Sequence, residues 1–555
     1  MAVGKKKKEP DISRRNFIRN GALGLGTAGL AGLGIEQQAE AAAQRQPKWD
    51  HVSDVVVAGA GASGLCAAVM ARDQGASVIV IEENHDIGGH AMLSGGRVPL
   101  GGGTSLQKKY GIVDSADQVY QDHIDFKQRS LRYGDRDLVR VWADENAPTF
   151  EFLIENGVKF IDVKPEIAGG SVPRMFRAQV FSDDLGETIN GQNGSGVVRP
   201  LEKSARAKGV TFLLKHKLSN IIRESPSSGR ILGITARFEN KDVNIQAKRG
   251  VIITTGGHTS NVEFRRTFDP RLTEEYQVTG EPWSKQTADG ELLAMSIGAG
   301  LWSTGNQTAE GGSPVTKTAH IGCRYGYVNL KWKPRSPMFF QAGASGLTVG
   351  SFQNVILVNQ MGLRFWNEMD GSFDFRNACL GSNGNDGKDP KKRNGGGPIW
   401  AIFDSDAVTR EKWDPNPPNV DPNGWFFSAD TIAELAGKIK NPYQFQPISP
   451  TTLEETVAKY NSYVDMGKDP DFTKPTPMYK IQKPPFYAAW STPILHDTLT
   501  GLRINQKCQV LDIRGRIIPG LYCAGESAGG FGLHGLPRVT VFGRIAGREA
   551  GSGKA

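Results

Sequence analysis

The sequence predicts an α/β fold of more than one domain, and three observations predict it. The first is a run of elements in order. A short apolar stretch, Asp54-Val55-Val56-Val57-Ala58, meets the turn Gly59-Ala60-Gly61-Ala62-Ser63-Gly64. An Ala-rich segment of helical composition follows to Gly75, then the β-branched Ser77-Val78-Ile79-Val80-Ile81, ending at Glu82. The second is length: 555 residues exceed the roughly 250–300 at which one hydrophobic core stops growing. The third is the cysteine pattern. Cys66, Cys323, Cys379, Cys508 and Cys523 are odd in number and scattered, with no C-x-x-C, no C-x-x-C-H haem site and no zinc spacing, so neither a disulfide scaffold nor a metal-held domain is expected.

Each part of the first run has a physical task. Gly59 makes the tight turn, Gly61 lets the backbone approach a pyrophosphate, and Gly64 lets helix and strand pack closely. The helix N-terminus, at Ala62 and Ser63, offers free N–H groups to phosphate. Glu82 lies 23 residues after Gly59, where an acid binds ribose hydroxyls. A lone G-x-G-x-x-G is weak; strand, turn, helix, strand and acid in order are a Rossmann-like dinucleotide bed.

The N-terminal segment reads as an address. Lys5 to Lys8 are basic, Arg14-Arg15 precede Phe17, Gly21 to Ile35 is uncharged, and Ala39, Ala41, Ala42 and Ala43 follow. This is the order of a twin-arginine export signal, expected over residues 1–43. The uncharged run has 15 residues, six of them glycine, against the roughly 20 mostly apolar residues of a spanning helix. Cleavage after Ala41 or Ala43 is expected to leave a soluble chain with no membrane anchor, periplasmic or extracellular. The net charge of +8 falls with the signal, which holds seven Lys and Arg against four Asp and Glu. The remainder is not clustered enough to argue for nucleic acid. Gly381 to Gly397 and Asp414 to Gly424 are rich in turn formers and read as surface loops.

Beyond Glu82 the chain resembles flavoproteins related to fumarate reductase, ketosteroid dehydrogenase and tricarballylate dehydrogenase. The stretch Glu82-Glu83 to Gly88-Gly89-His90-Ala91-Met92-Leu93-Ser94-Gly95-Gly96 is similar to the second half of their FAD fingerprint, and Gly101-Gly102-Gly103-Thr104 with Gln107 to the steroid-dehydrogenase side of the group. "GSGVVRPLEKSARAKGV" (194–210), "VIITTGG" (251–257), "TADGELLAMSIGA" (287–299) and "GRIIPGLYCAGESAGG" (515–530) resemble further elements, in the family's order. The resemblance implies FAD as cofactor and a glutathione-reductase-type FAD-binding domain, residues 50–300 and 481–550. It implies an inserted α+β capping domain over residues 301–480. Cofactor contacts then fall at Gly59, Gly61, Ala62, Ser63, Gly64, Glu82, Glu83 and Gly89 to Ala91. They continue at Leu93, Ser94, Gly95, Gly96, Leu218, Thr255, Gly256, Gly257, Asp289, Gly525 and Glu526. His90 stands near a histidine that links covalently to flavin in respiratory fumarate reductases; a covalent link and a non-covalent contact are both open. FAD is made in the cytoplasm and is held by distant segments, so a chain that carries it out must fold first, which suits a pathway for folded proteins.

The same resemblance nominates the chemistry. "MGLRFWNEMDGSFDFRN" (361–377) is similar to the family's Gly-x-Arg-Phe-x-Asn/Asp-Glu signature, and implies Arg376 as proton donor, a salt-bridged surface arginine being the competing reading. In "PPFYAAWSTPILHDTLTGLRI" (484–504), His496 has the frame of a histidine that binds substrate carboxylate, and Tyr487 that of a ketosteroid-dehydrogenase tyrosine. In "GFGLHGLPRVTVFGRIAG" (530–547), Arg538 stands where an arginine clamps carboxylate, a task that suits its planar fork. The turn that follows in the family is about eight residues shorter here. The activity implied is hydride transfer at flavin N5 to or from a carbon beside a carboxylate or ketone, with no metal. The alternatives are a ketosteroid-like desaturase and an FAD-bearing electron-transfer subunit. The partners expected are a small-molecule substrate and a separate electron carrier: a cytochrome, a quinone or oxygen.

Overall fold

The structure, a computed structural model, describes residues 47–124, 134–167, 170–181, 194–270, 272–303, 319–325, 342–370, 397–533 and 535–553. Residues Trp49–Ala555 form one compact unit. Its elements, in chain order and limited to those that place the site, begin with strand β1 (His51–Ala58), helix α1 (Ala62–Asp73) and strand β2 (Val78–Glu82). Then come α2 (Ser195–Ala207), β3 (Thr211–Leu214), β4 (His216–Ser225), β5 (Ser228–Phe238), β6 (Lys241–Ile253) and α3 (Asp289–Ser296). The second half contributes β7 (Ile356–Val358), β8 (Trp400–Asp404), β9 (Phe426–Ala429), α4 (Pro450–Met466) and β10 (Phe486–Trp490). It closes with β11 (Gln509–Leu511), β12 (Ile517–Cys523) and α5 (Leu536–Ser552).

The α/β expectation is met by an eight-stranded sheet. Its path runs β11-β12-β6-β1-β2-β3, and the β4–β5 hairpin joins through β5 to β6. Pairs β1–β2, β1–β6, β2–β3 and β6–β12 are parallel. A parallel strand is covered on both faces, which is why Val55 to Ala58 and Val78 to Ile81 are apolar without alternation. Helix α1 covers the sheet and is itself covered by α5. Gly543, Gly547 and Gly551 of α5 lie so close that an added Cβ would stand 2.3, 2.2 and 2.8 Å from α1, at Ser63 O, Ala67 O and Ala71 Cα. The glycine spacing of i, i+4, i+8 thus sets one bare stripe on α5. The segment after β12 brings the C-terminal part of the chain back to the start of α1: a Cβ on Gly525 would stand 3.1 Å from Ser63 Cβ.

A second sheet, β7-β8-β10-β9, is antiparallel throughout. Strands β7, β8 and β10 are buried on both faces, and β9 exposes Ser428. Trp400, Ile402, Ala488 and Trp490 face the cluster that holds Leu453 and Tyr460 of α4. Ala401, Phe403, Tyr487 and Ala489 face a cluster with Phe365 and Phe426. Successive side chains of a strand point to opposite faces, so the register Phe403↔Tyr487 puts those two rings on one side. The last strand of this sheet, Phe486–Trp490, comes after residue 480, the end expected for the insertion. No helix among the described residues is long and apolar enough to cross a membrane.

Candidate active site

The glycine turn after β1 is built by three glycines under three different constraints. Gly59 has φ +104°, and a Cβ there would stand 2.4 Å from the Thr254 carbonyl oxygen. Gly64 would place one 1.9 Å from the Gly59 carbonyl oxygen, so α1 can dock on the turn only without it. Gly61 meets nothing within 4 Å: a side chain there would project into open space. That space is a cavity of about 390 Å³, lined at this end by Gly59, Gly61, Ala62 and Ser63. Helix α1 starts at Ala62 with no side-chain cap, which leaves its first N–H groups for a ligand. Ser63 Oγ is buried and has no hydrogen-bond partner among the described residues. An open glycine, an uncapped helix N-terminus and a buried hydroxyl in need of a partner fit a pyrophosphate.

Glu82 reaches the same cavity from the end of β2. Its Oε2 accepts the Ala60 N–H at 2.8 Å and its Oε1 the Asn84 N–H at 2.9 Å. Each oxygen keeps a lone pair, the capacity two ribose hydroxyls need. Burial pushes the Glu82 carboxyl up, and those N–H groups work against it. Glu83 and Asp289 line the cavity and share one cation, Lys217 Nζ, at 2.9 and 2.8 Å. Leu218 adds an apolar wall next to Lys217.

The turn Gly89–Leu93 supplies Gly89, His90, Ala91 and Leu93 to the lining, and Ser94 follows. Gly95 and Gly96 are not part of it. Gly96 O instead accepts the Ala178 N–H at 2.9 Å. Across the cavity stand Thr255, Gly256, Gly525 and Glu526. Two bonds tie these segments: Thr255 Oγ1 to Ser527 Oγ at 3.3 Å, and Ser527 Oγ to the Gly256 carbonyl at 2.6 Å. Gly257 is absent from the lining because it faces Thr498, whose Oγ1 would be 2.1 Å from an added Cβ.

His90, Gln286, Glu526 and His496 meet in this cavity. His90 Nδ1 lies 3.6 Å from Glu526 Oε1, and its ring centroid 5.3 Å from that of His496. Gln286 Nε2 donates to Glu526 Oε2 and sits 3.3 Å from His90 Nδ1. Burial and the Asp497 charge push Glu526 up, while His90 and Arg538 restrain the shift. Gln286 belongs to a strap, Pro282 to Gln286, that lines the cavity and carried no motif of its own in the sequence. Its closeness to "TADG" is the one signal that could have found it.

The four chemistry candidates separate. His496 lines the cavity. Arg538 does not: it is 1% exposed, and its two terminal nitrogens donate to the Thr498 and Ala528 carbonyls. The expected carboxylate clamp is therefore a clamp on backbone, holding the segment after His496 against the segment after Glu526. Tyr487 is also displaced from its expected place. Its ring stacks on Phe403 at 5.2 Å and lies 5.6 Å from Phe426, inside the second sheet's core. Strand alternation on β10 fixes that direction. Arg376 lies outside the described residues. The signature before it is described, and it is structural: Arg364 Nε and Nη2 reach Glu368 at 2.8 and 2.9 Å, Nη2 reaches Asp469 at 2.9 Å, and Lys474 Nζ stands 3.3 Å from Glu368.

A parallel sheet core with a glycine turn, an acid at the end of the second strand, and a returning segment that delivers Gly525 and Glu526 define a dinucleotide-binding protein. The chain belongs to the FAD binding domain family, whose profile matches residues 54–539. It is 29% identical over 516 residues to urocanate reductase of Eggerthella lenta, covering 90% of this chain and 74% of that one. It is 28% identical to the fumarate reductase (cytochrome) of Shewanella frigidimarina, covering 94% and 81%. It is equally 28% identical to the acrylate reductase flavoprotein subunit of Shewanella woodyi, covering 95% and 94%. The fold is that of a flavocytochrome c3 fumarate reductase (TM-score 0.64, 24% identity, 94% and 81% covered) and of a Sterolibacterium denitrificans 3-ketosteroid Δ1-dehydrogenase (TM-score 0.65, 20%, 91% and 100%). The chain is an FAD-dependent oxidoreductase, and these three relatives are named as reductases.

Proposed function

We propose that the protein reduces, or in reverse forms, a C=C bond conjugated to a carboxylate. The observation that carries this reading is that His496 enters the cofactor cavity while Tyr487 is turned into an aromatic core. A desaturase reading built on Tyr487 therefore loses its residue, and a carboxylate reading keeps one. Urocanate, fumarate and acrylate, named in the relatives, are all α,β-unsaturated acids.

Bound FAD supplies the hydride at N5. The chain's own residues do the rest. His496, charged or as a donor, binds the substrate carboxylate and draws electron density from the β-carbon. Arg538 holds the Thr498 and Ala528 backbone and so orients His496 and Glu526. Arg376 is the proposed proton donor to the α-carbon. The proposed division keeps residues 50–300 and 481–550 as the cofactor domain and 301–480 as a cap that excludes water, with strand Phe486–Trp490 belonging to the cap sheet. Electrons come from a separate carrier. Residues 1–43 are proposed to export the protein folded, with FAD in place. The cavity draws on residues from Gly59 to Val539, so the bed exists only in the folded chain, which supports that route.

The test is anaerobic. The flavin of the purified protein is reduced and mixed with fumarate-like dicarboxylates, aryl acrylates and Δ1-unsaturated ketosteroids. Rapid reoxidation by the acids and not by the steroids is expected. Reoxidation by steroids alone, or by none, overturns the proposal.

A further inference from the structure

One nitrogen in the cavity has two partners of opposite demand. Nδ1 of His90 faces the Gln286 side chain at 3.3 Å and the Glu526 carboxylate at 3.6 Å. Gln286 must present its NH₂ group here, because the same Nε2 donates to Glu526 Oε2, and an ionised carboxylate only accepts. An amide N–H toward Nδ1 requires a bare ring nitrogen. A carboxylate toward Nδ1 requires a protonated one. The three side chains thus hold two hydrogen-bond arrangements that differ in whether Nδ1 carries a proton; with Nε2 protonated in both, they differ by one proton. His90 has little room to leave: a Cβ on Gly280 would stand 3.6 Å from its Cδ2, and the His496 ring lies beside it.

We propose that His90, Gln286 and Glu526 form a proton-holding switch coupled to the redox state of the bound flavin. When the flavin is oxidised, His90 is neutral and Nδ1 accepts from Gln286. Two electrons arrive from an external one-electron carrier, each carrier molecule being oxidised once. One proton joins the flavin, and a second, from solvent, goes to His90 Nδ1, which then donates to Glu526. When the flavin gives a hydride to substrate, the His90 proton is released. His90 is a positioning and proton-holding residue in this scheme, and His496 keeps its separate contact with substrate. The charged groups that bear on the pair are Asp497 and His496 from the segment before β11, Glu291 from α3, Lys285 from the strap and Arg538 from α5. Asp497 adds negative charge near Glu526 and Arg538 offsets part of it, while burial pushes the Glu291 carboxyl well up, toward its neutral form.

This inference rests on bound FAD and not on the identity of the substrate, so a failed alkene panel leaves it standing. The experiment is potentiometry of the holoenzyme between about pH 5 and about pH 9, the range in which a histidine titrates. The wild type is expected to take up one proton more per two electrons than His90→Asn over part of that range. Gln286→Leu removes the amide that favours the bare nitrogen, and should move the break by about one pH unit to higher pH. ¹⁵N-histidine spectra of oxidised and viologen-reduced wild type read the same step without a variant. One histidine, absent from His90→Asn or shifted in Gln286→Leu, should gain a proton at Nδ1 on reduction. Equal proton uptake in all three proteins, or a His90 Nδ1 unchanged by reduction, overturns the proposal.

Discussion

The cofactor bed and the antiparallel sheet were written in different scripts. In the bed, each task belongs to a short stretch of chain. Gly59, Gly61 and Gly64 fall within six residues of one turn, and their roles follow from what a Cβ would meet. In the antiparallel sheet, tasks are settled across strands. Tyr487 carries no local mark that tells a pocket residue from a core residue; the register with Phe403 makes the decision. Chemistry that depends on the backbone is legible early. Chemistry that depends on which face a side chain takes is not.

That contrast can be broken at several points. The largest effect is expected from Gly64→Val, because the obstacle is backbone at 1.9 Å: about 3 kcal/mol or more, read as loss of soluble yellow protein. Its counterpart in the second region is Glu368→Gln. Glu368 is fully buried, and although burial would raise it, the Arg364 and Lys474 charges pull its carboxyl down to about 2. A carboxyl lower in the folded state than its ordinary 4.5 stabilises the fold above that value and stops doing so as pH falls toward about 2. Wild-type stability should therefore drop over that acid window. The variant should lose about 3–5 kcal/mol at neutral pH and show a flatter acid limb in pH-dependent urea melts.

A smaller effect separates chemistry from fold. His496→Gln should lower kcat/KM for an unsaturated acid about a hundredfold and leave the melting temperature almost unchanged. Gly61→Ala sharpens the reading of the turn. Its Cβ meets nothing, so the apoprotein should melt as before, while FAD titration shows binding weaker by about tenfold. A loss of apoprotein stability equal to that of Gly64→Val would mean that Gly61 serves the fold and not the cofactor. The smallest effect is expected at Tyr487→Phe: within about 0.5 kcal/mol in stability, and turnover within about twofold. A large loss of turnover there would return the desaturase reading to first place.

Most of the cofactor half of the molecule was legible in advance. The βαβ unit and Glu82 lie where the spacing put them, and the returning strand at Val251 and the Gly525–Glu526 turn lie beside them in the sheet and the cavity lining. The departures have physical reasons. Gly257 gives way because Thr498 occupies its open side, and Gly96 because a carbonyl that pairs with Ala178 is needed at the edge of a sheet. Arg538 looked like a substrate arginine from its neighbours in sequence. Two buried carbonyls, 40 and 10 residues away, claim its donors instead. The strap Pro282 to Gln286 had no pattern to read, since its contact with His90 and Glu526 joins residues 196 and 240 positions apart.

The sequence by itself determined the class of fold and the nucleotide turn, because these depend on backbone room, helix-end dipoles and the alternation of strand and helix, all local properties; the cofactor followed from the resemblance to a flavoprotein family. The tertiary structure alone decided which titratable groups share the cavity. A side chain's partner is set by register, by strand face and by long-range packing, and none of these is written next to the residue it governs.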